Sequence, residues 1–129
     1  MNIIGIGTDI IEVDRIDRMI QRHAELFLNR VYTANEIQYC SPRKAYAQHY
    51  AGRWAAKEAV LKTLGTGWAR GIKWTDIEML NRYGGKPEII LHDAAAAVAA
   101  DLGIVEIKIS ISHCHQYAVG FATALGEPR

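Results

Sequence analysis

Apolar and polar side chains alternate without a slip along Val105-Glu106-Ile107-Lys108-Ile109-Ser110-Ile111-Ser112, the period-two pattern of a strand with one buried face. His113 to Gln116 reads as a turn, and Tyr117 to Leu125 as a returning antiparallel strand. A second pair, Trp74 to Asn81 and Lys86 to Leu91, flanks the turn glycines Gly84 and Gly85. The chain opens on a β-like segment from Ile3 and continues into a polar, helix-compatible stretch, Asp14 to Arg30, that carries Ile16, Met19, Ile20, Leu26 and Phe27. Thr33 and Glu36 have capping-box spacing, which predicts a short helix from Ala34. Ser41-Pro42 predicts the start of a helix of about six turns at 3.6 residues each, ended by Gly65-Thr66-Gly67. Asp93 is the expected cap of an alanine-rich helix that stops at Gly103. The expected class is α+β: one domain over residues 1–129, with antiparallel strands packed on one long helix and several short ones.

Composition narrows the function. The chain has 129 residues, half of them hydrophobic and 22% charged, enough to bury a core and unlike a disordered segment. Fifteen basic residues against fourteen acidic ones lack the strongly basic footprint of a nucleic-acid binder. The longest apolar run, Ala94 to Ala100, is far short of the roughly 20 residues that span a bilayer. Asp9 interrupts the first hydrophobic stretch and no basic region precedes it, so a signal peptide is not expected. Two cysteines, Cys40 and Cys114, fit reduced thiols in a cytoplasmic protein better than a disulfide framework. The charge is uneven, however. Ser41 to Trp74 holds seven basic residues against one acid, Glu58. Such an excess suits either an anionic ligand or a solvated basic helix face.

Several residues sit oddly in this pattern. On the long helix Tyr46, Tyr50, Trp54, Leu61 and Leu64 form one stripe at about 100° per residue. Lys57 falls inside it and Glu58 at its edge. A buried charge needs a partner, a ligand or a use, although Lys57 could snorkel and Glu58 pair with Lys62. Asp9 interrupts an apolar strand, where it either caps local amides or joins Glu58 in holding a hard cation such as Mg²⁺. Gly5-Ile6-Gly7 lacks the third glycine of a dinucleotide loop, and that reading is rejected. His113 and His115 have no third or fourth zinc ligand at a convincing spacing; a single histidine there suits a phosphate or a nearby backbone group. Arg15, Arg18 and Arg22 are interspersed with Asp14, Asp17 and Glu25, by default a solvated face.

Taken together, Gly5-Ile6-Gly7-Thr8-Asp9-Ile10-Ile11-Glu12 followed by Arg15-Ile16 resembles the N-terminal motif of the holo-acyl-carrier-protein synthases. Arg53-Trp54-Ala55-Ala56-Lys57-Glu58-Ala59-Val60-Leu61-Lys62 with Gly65-Thr66-Gly67 resembles their second motif. Thr75-Asp76-Ile77-Glu78, Gly85-Lys86-Pro87 and Ser110-Ile111-Ser112-His113 continue the likeness over essentially the whole chain. Trp54 replaces a usual phenylalanine, and the helix from Asp93 is unusually rich in alanine. The resemblance implies a small single-domain 4′-phosphopantetheinyl transferase. It would move phosphopantetheine from coenzyme A to a serine of apo acyl carrier protein, release adenosine 3′,5′-bisphosphate and serve fatty acid biosynthesis. It further implies Mg²⁺ on Asp9 and Glu58, Lys62 at the leaving phosphate, and Arg53, Lys57, Gly65 and His113 around coenzyme A. Glu58 or a metal-bound water would take the serine proton. A homotrimer with interfacial active sites and carrier docking through Arg15 and Arg22 complete the expectation. A metal-dependent nuclease and a non-enzymatic nucleotide-binding module are the competing classes; the nuclease fits poorly with an acid and a lysine four apart on a helix.

Overall fold

Every backbone position from 1 to 129, and every side chain but that of Tyr83, is described in the computed structural model. Strand β1 (Asn2–Glu12) leads directly into helix α1 (Val13–His23), followed by α2 (Glu25–Val31), α3 (Ala34–Cys40) and the long α4 (Tyr46–Leu64). A hairpin of β2 (Ile77–Asn81) and β3 (Pro87–Leu91), helix α5 (Asp93–Leu102), β4 (Ile104–His113) and β5 (Tyr117–Gly126) complete the chain. The strands form two antiparallel sheets, β1-β5-β4 and β2-β3. This is the expected α+β arrangement.

Helix α4 lies across the three-stranded sheet, and small residues set how closely. Along β5 the inward positions are Ala118, Gly120, Ala122 and Ala124, all buried. A Cβ on Gly120 would stand 2.6 Å from the Ala55 carbonyl oxygen, and one on Gly5 2.5 Å from that of Thr63. A Cβ on Gly7 would overlap the Ala59 carbonyl. Gly5-Ile6-Gly7 is therefore a bed for a helix rather than a phosphate loop. With the sheet on one side and α1, α3 and the hairpin on others, α4 buries twelve of its nineteen residues. One core gathers Ile16, Phe27, Tyr32 and Tyr50; another gathers Val60, Leu64, Ile77 and Val98. Each fully buried side chain of this size contributes about 1.5–3 kcal/mol.

Four boundaries differ from expectation. Helix α4 begins at Tyr46 because Ser41 is used to close α3, its amide donating to the Ile37 carbonyl at 3.0 Å. The stretch from Asp14 to Arg30 breaks at Ala24, whose φ of 45° no glycine announces; the bend lets Phe27 stack on Trp54 at 6.1 Å. Asp93 makes no capping bond and is the first residue of α5, with His92 at the cap position. Its carboxylate still lies at the positive end of the helix. Strand β2 starts at Ile77 because Trp74–Asp76 forms a 3₁₀ turn, the Lys73 amide donating to Asp76 Oδ2 at 3.2 Å. The capping box of Thr33 and Glu36 and the left-handed ends at Gly65 and Gly103 are present. Among the described residues no helix is long and apolar enough to cross a membrane.

Candidate active site

Asp9 lies opposite Gly120 in the β1–β5 register, on the side of the sheet that α4 covers. The absent side chains of Gly7 and Gly120 bring the helix near enough for Glu58 and Lys62 to meet it. Lys62 Nζ stands 3.6 Å from Asp9 Oδ1 and donates to the Thr8 carbonyl at 2.7 Å. The other carboxylate oxygen, Asp9 Oδ2, is buried without any hydrogen-bond partner. Burial raises the Asp9 pKa above its usual value, even against the pull of Lys62. Glu58 is also raised, first by burial and then by the negative charge of Asp9, while Lys62 and the Trp68 indole N–H oppose the shift.

Two partly buried acids thus draw on one cation, Lys62, and the charge of Asp9 raises Glu58 further. Among the described residues no cluster of three or more histidine, cysteine or acidic side chains could hold a metal. A pair of carboxylates nonetheless fits Mg²⁺, which keeps several waters and takes its remaining ligands from substrate phosphates. The orphaned Asp9 Oδ2 fits that donor set.

A second group occupies another side of α4. Five residues before Glu58, and so about 140° round the helix, Arg53 is only 2% exposed. Its Nη2 donates to Asn81 Oδ1 at 2.6 Å, its guanidinium lies 4.4 Å from the Tyr39 ring centroid, and its Nε is buried without a partner. A cavity of about 220 Å³ is lined by Tyr39, His49, Arg53, Asn81, Pro87 and His113. Arg43 covers the Tyr39 ring at 3.5 Å. The His49 and His113 rings are 6.2 Å apart. Burial, then Arg53, Arg43 and His113, lower the His49 pKa, which marks the cavity as electropositive. Tyr39, His49 and Asn81 were not read from the sequence. Only His49 left a signal there, one helical turn before Arg53.

Lys57 belongs to neither group, and this corrects its reading as a coenzyme A contact. Its side chain is 0% exposed and pairs with the equally buried Glu36 at 2.8 Å. It donates to the Trp74 carbonyl at 3.0 Å and to that of Ile77. Glu36 also accepts from the Thr33 amide at 2.9 Å and the Met79 amide at 3.1 Å. The ammonium is consumed inside the core, where no ligand reaches it. Gly65, exposed at the end of α4, has a φ of 73° and no neighbour against which a Cβ would clash. Its requirement is the left-handed backbone alone. Arg15 and Arg22 are exposed on α1. Between them Asp17 accepts from the Tyr46 hydroxyl at 2.8 Å, which turns that acid toward α4.

The motifs are thus joined in space as Asp9, Glu58 and Lys62, with Arg53 and His113 brought together separately. A model of the 4′-phosphopantetheinyl transferase superfamily matches residues 5–122. The chain belongs to this superfamily. It is 50% identical over 119 residues to a holo-[acyl-carrier-protein] synthase of Protochlamydia amoebophila, covering 92% of this chain and 95% of the relative. The crystal structure of the Neisseria meningitidis holo-[acyl-carrier-protein] synthase superposes with a TM-score of 0.88 at 30% identity, covering 96% of this chain and 99% of that one. A Bacillus anthracis holo-(acyl-carrier-protein) synthase in complex with CoA (3′,5′-ADP) gives 0.80 at 34% identity, over 97% and 98% of the two chains. The likeness spans both groups of residues and the helix α4 between them.

Proposed function

We propose that this chain is a holo-acyl-carrier-protein synthase that transfers 4′-phosphopantetheine from coenzyme A to a serine of apo acyl carrier protein. The observation that carries the reading is the Asp9–Glu58–Lys62 group, with one carboxylate oxygen lacking a partner, in a superfamily member of matching length. Asp9 and Glu58 would hold Mg²⁺, which supplies charge neutralisation at the pyrophosphate. Phosphoryl transfer is mostly positioning and electrostatic stabilisation, and the remaining roles belong to the chain's own groups. Lys62, half exposed and one turn beyond Glu58, places its ammonium where charge develops on the departing bisphosphate. Glu58, its pKa raised by burial and by Asp9, is suited to receive the serine proton at its carboxylate. Arg53 and His113 bind an anionic part of coenzyme A in their cavity.

One protomer carries the acids and the electropositive cavity on different sides of α4. The outer face of its main sheet meanwhile leaves Ile6 and Ile10 62% and 61% exposed, with Phe121 at 46%. Monomeric proteins rarely leave a contiguous apolar patch uncovered. The exposed face supports association of copies, and the reading includes the homotrimer that the family resemblance implies, with the acids of one copy facing the cavity of the next. The exposed Arg15 and Arg22, seven residues apart on α1, form the docking face for the acidic carrier. The work is placed in the cytoplasm, in support of fatty acid biosynthesis.

Mass spectrometry of apo carrier protein incubated with coenzyme A, magnesium and the enzyme tests the reading. A carrier gaining one phosphopantetheine, with adenosine 3′,5′-bisphosphate released, supports it. An unmodified carrier at enzyme concentrations equal to the substrate would overturn it.

A further inference from the structure

The electropositive cavity holds a titratable side chain to which the transfer chemistry gives no task. His49, half-buried on α4 one helical turn before Arg53, lines it together with Tyr39, Arg53, Asn81 and His113. Its ring stands edge-on to Tyr39 at 5.7 Å between centroids and lies 6.2 Å from the His113 ring. Arg53, in the same lining, is almost fully buried and its Nε has no partner. A buried donor left unpaired is costly, and an entering acceptor would answer it. The charged and titratable groups that act on His49 are Arg53 from its own helix, Arg43 from the segment after α3 and His113 from the end of β4. Tyr39 from α3 and Asn81 from β2 add no charge, and among the described residues no acid lines the cavity. Burial first, then Arg53, Arg43 and His113, hold the imidazole below its ordinary pKa. The empty cavity thus favours a neutral ring.

Resting on the proposed transferase reading, we infer that His49 is a further anion-binding residue of this cavity, taking up a proton as a phosphate group of coenzyme A or of the bisphosphate product enters. The proton comes from solvent and goes to the imidazole; no covalent bond to the ligand forms or breaks. What opposes a charged ring in the empty cavity is burial and the neighbouring cations. A phosphate monoester brings about −1.5 to −2 charges at neutral pH, which reverses the sign of the local field. The ring then gains a charge-assisted hydrogen bond, and with His113 across the cavity such bonds can converge on one phosphate from two sides. An imidazole pKa that rises on binding strengthens binding as pH falls through the raised value and leaves it unchanged well above it. The product is therefore held more tightly on the acid side, and its release becomes sensitive to pH through a residue remote from the acids that meet at Asp9.

The test is calorimetric titration of adenosine 3′,5′-bisphosphate into the wild type, His49→Phe and His49→Gln from about pH 6 to about pH 8, across the range in which histidine titrates. Buffers of different ionisation enthalpy give the net proton uptake directly. His49→Phe keeps a ring against Tyr39 and His49→Gln keeps a hydrogen-bond donor, but neither can take the proton. His113, the phosphate itself and the acids of a neighbouring copy titrate in all three proteins and drop out of the difference. The wild type is expected to take up more protons than either variant near pH 6 and to bind on the order of tenfold tighter than His49→Phe there, one pKa unit being worth a factor of ten, with the gap closing toward pH 8. In the wild type, the His49 ring-proton resonance should titrate at higher pH with the bisphosphate bound than without it. Equal proton uptake with parallel affinity profiles, or a His49 titration that the bisphosphate does not move, overturns the inference while transfer from coenzyme A to the carrier still stands. A bisphosphate that fails to bind the wild type at any of these pH values removes the cavity from the coenzyme A reading, and the inference with it.

Discussion

Lys57 and Glu58 are neighbours on one helix, yet their surroundings differ completely. Lys57 points into a pocket that answers every donor it has: Glu36 at 2.8 Å and the carbonyls of Trp74 and Ile77. Glu58, about 100° further round the helix, is pushed up by the charge of another acid, and one oxygen of that acid is orphaned. The first arrangement is closed and holds α3, α4 and β2 together. The second is open, with one buried carboxylate oxygen unanswered. Burial alone therefore does not separate a structural charge from a working one; the account of its partners does.

The largest effect expected from this contrast is on transfer. Asp9→Asn or Glu58→Gln should lower kcat/KM by 10²-fold or more, on the order of the loss when a group stabilising transition-state charge is removed. Neither changes side-chain volume much, and circular dichroism should be unaltered. On the closed side, Glu36→Gln leaves the Lys57 ammonium unpaired in the core. Breaking a buried pair typically costs about 3–5 kcal/mol, so urea unfolding should show a midpoint well below wild type. A wild-type midpoint would mean the pair holds nothing together.

Lys62→Ala comes next. If the ammonium acts on the leaving group, kcat falls more than KM rises, and the reverse pattern would make it a binding group. Smaller again is a pH effect on the metal-free protein. Asp9 and Glu58 have raised pKa values, so the folded state holds their protons more tightly than the unfolded chain. Stability then falls as pH rises from the ordinary carboxylate range through the raised values, and stays lower above them. Asp9→Asn should flatten that fall in thermal melts between acidic and neutral pH. The smallest effect concerns α1. Arg15→Glu or Arg22→Glu should raise KM for the carrier and leave KM for coenzyme A nearly constant, and added salt should mimic them because exposed charges are screened beyond about 8 Å at physiological ionic strength.

Much of this was legible in the sequence. Period-two alternation from Val105 to Ser112 and the glycine ends of α4 and α5 marked elements that are present. The oddity of Asp9 within an apolar strand and of Glu58 on a helix pointed to the two acids that meet. What stayed hidden depended on packing. The role of Lys57 was missed because its partner Glu36 lies 21 positions earlier, where its spacing to Thr33 already explained it as a cap. Ser41 carried a start signal that the previous helix used first, and Ala24 bends the chain without a glycine to mark it. Tyr39, His49 and Asn81 join Arg53 and His113 only because α3, α4, β2 and β4 converge there. No local pattern encodes such a convergence.

Magnesium binding measured by calorimetry in the presence of coenzyme A, for the wild type and for Asp9→Asn, tests the central claim most directly. The account predicts a saturable event of one ion per chain in the wild type, lost in Asp9→Asn, and weakening as pH falls through the raised carboxyl pKa values. Equal affinity in the two proteins would contradict it.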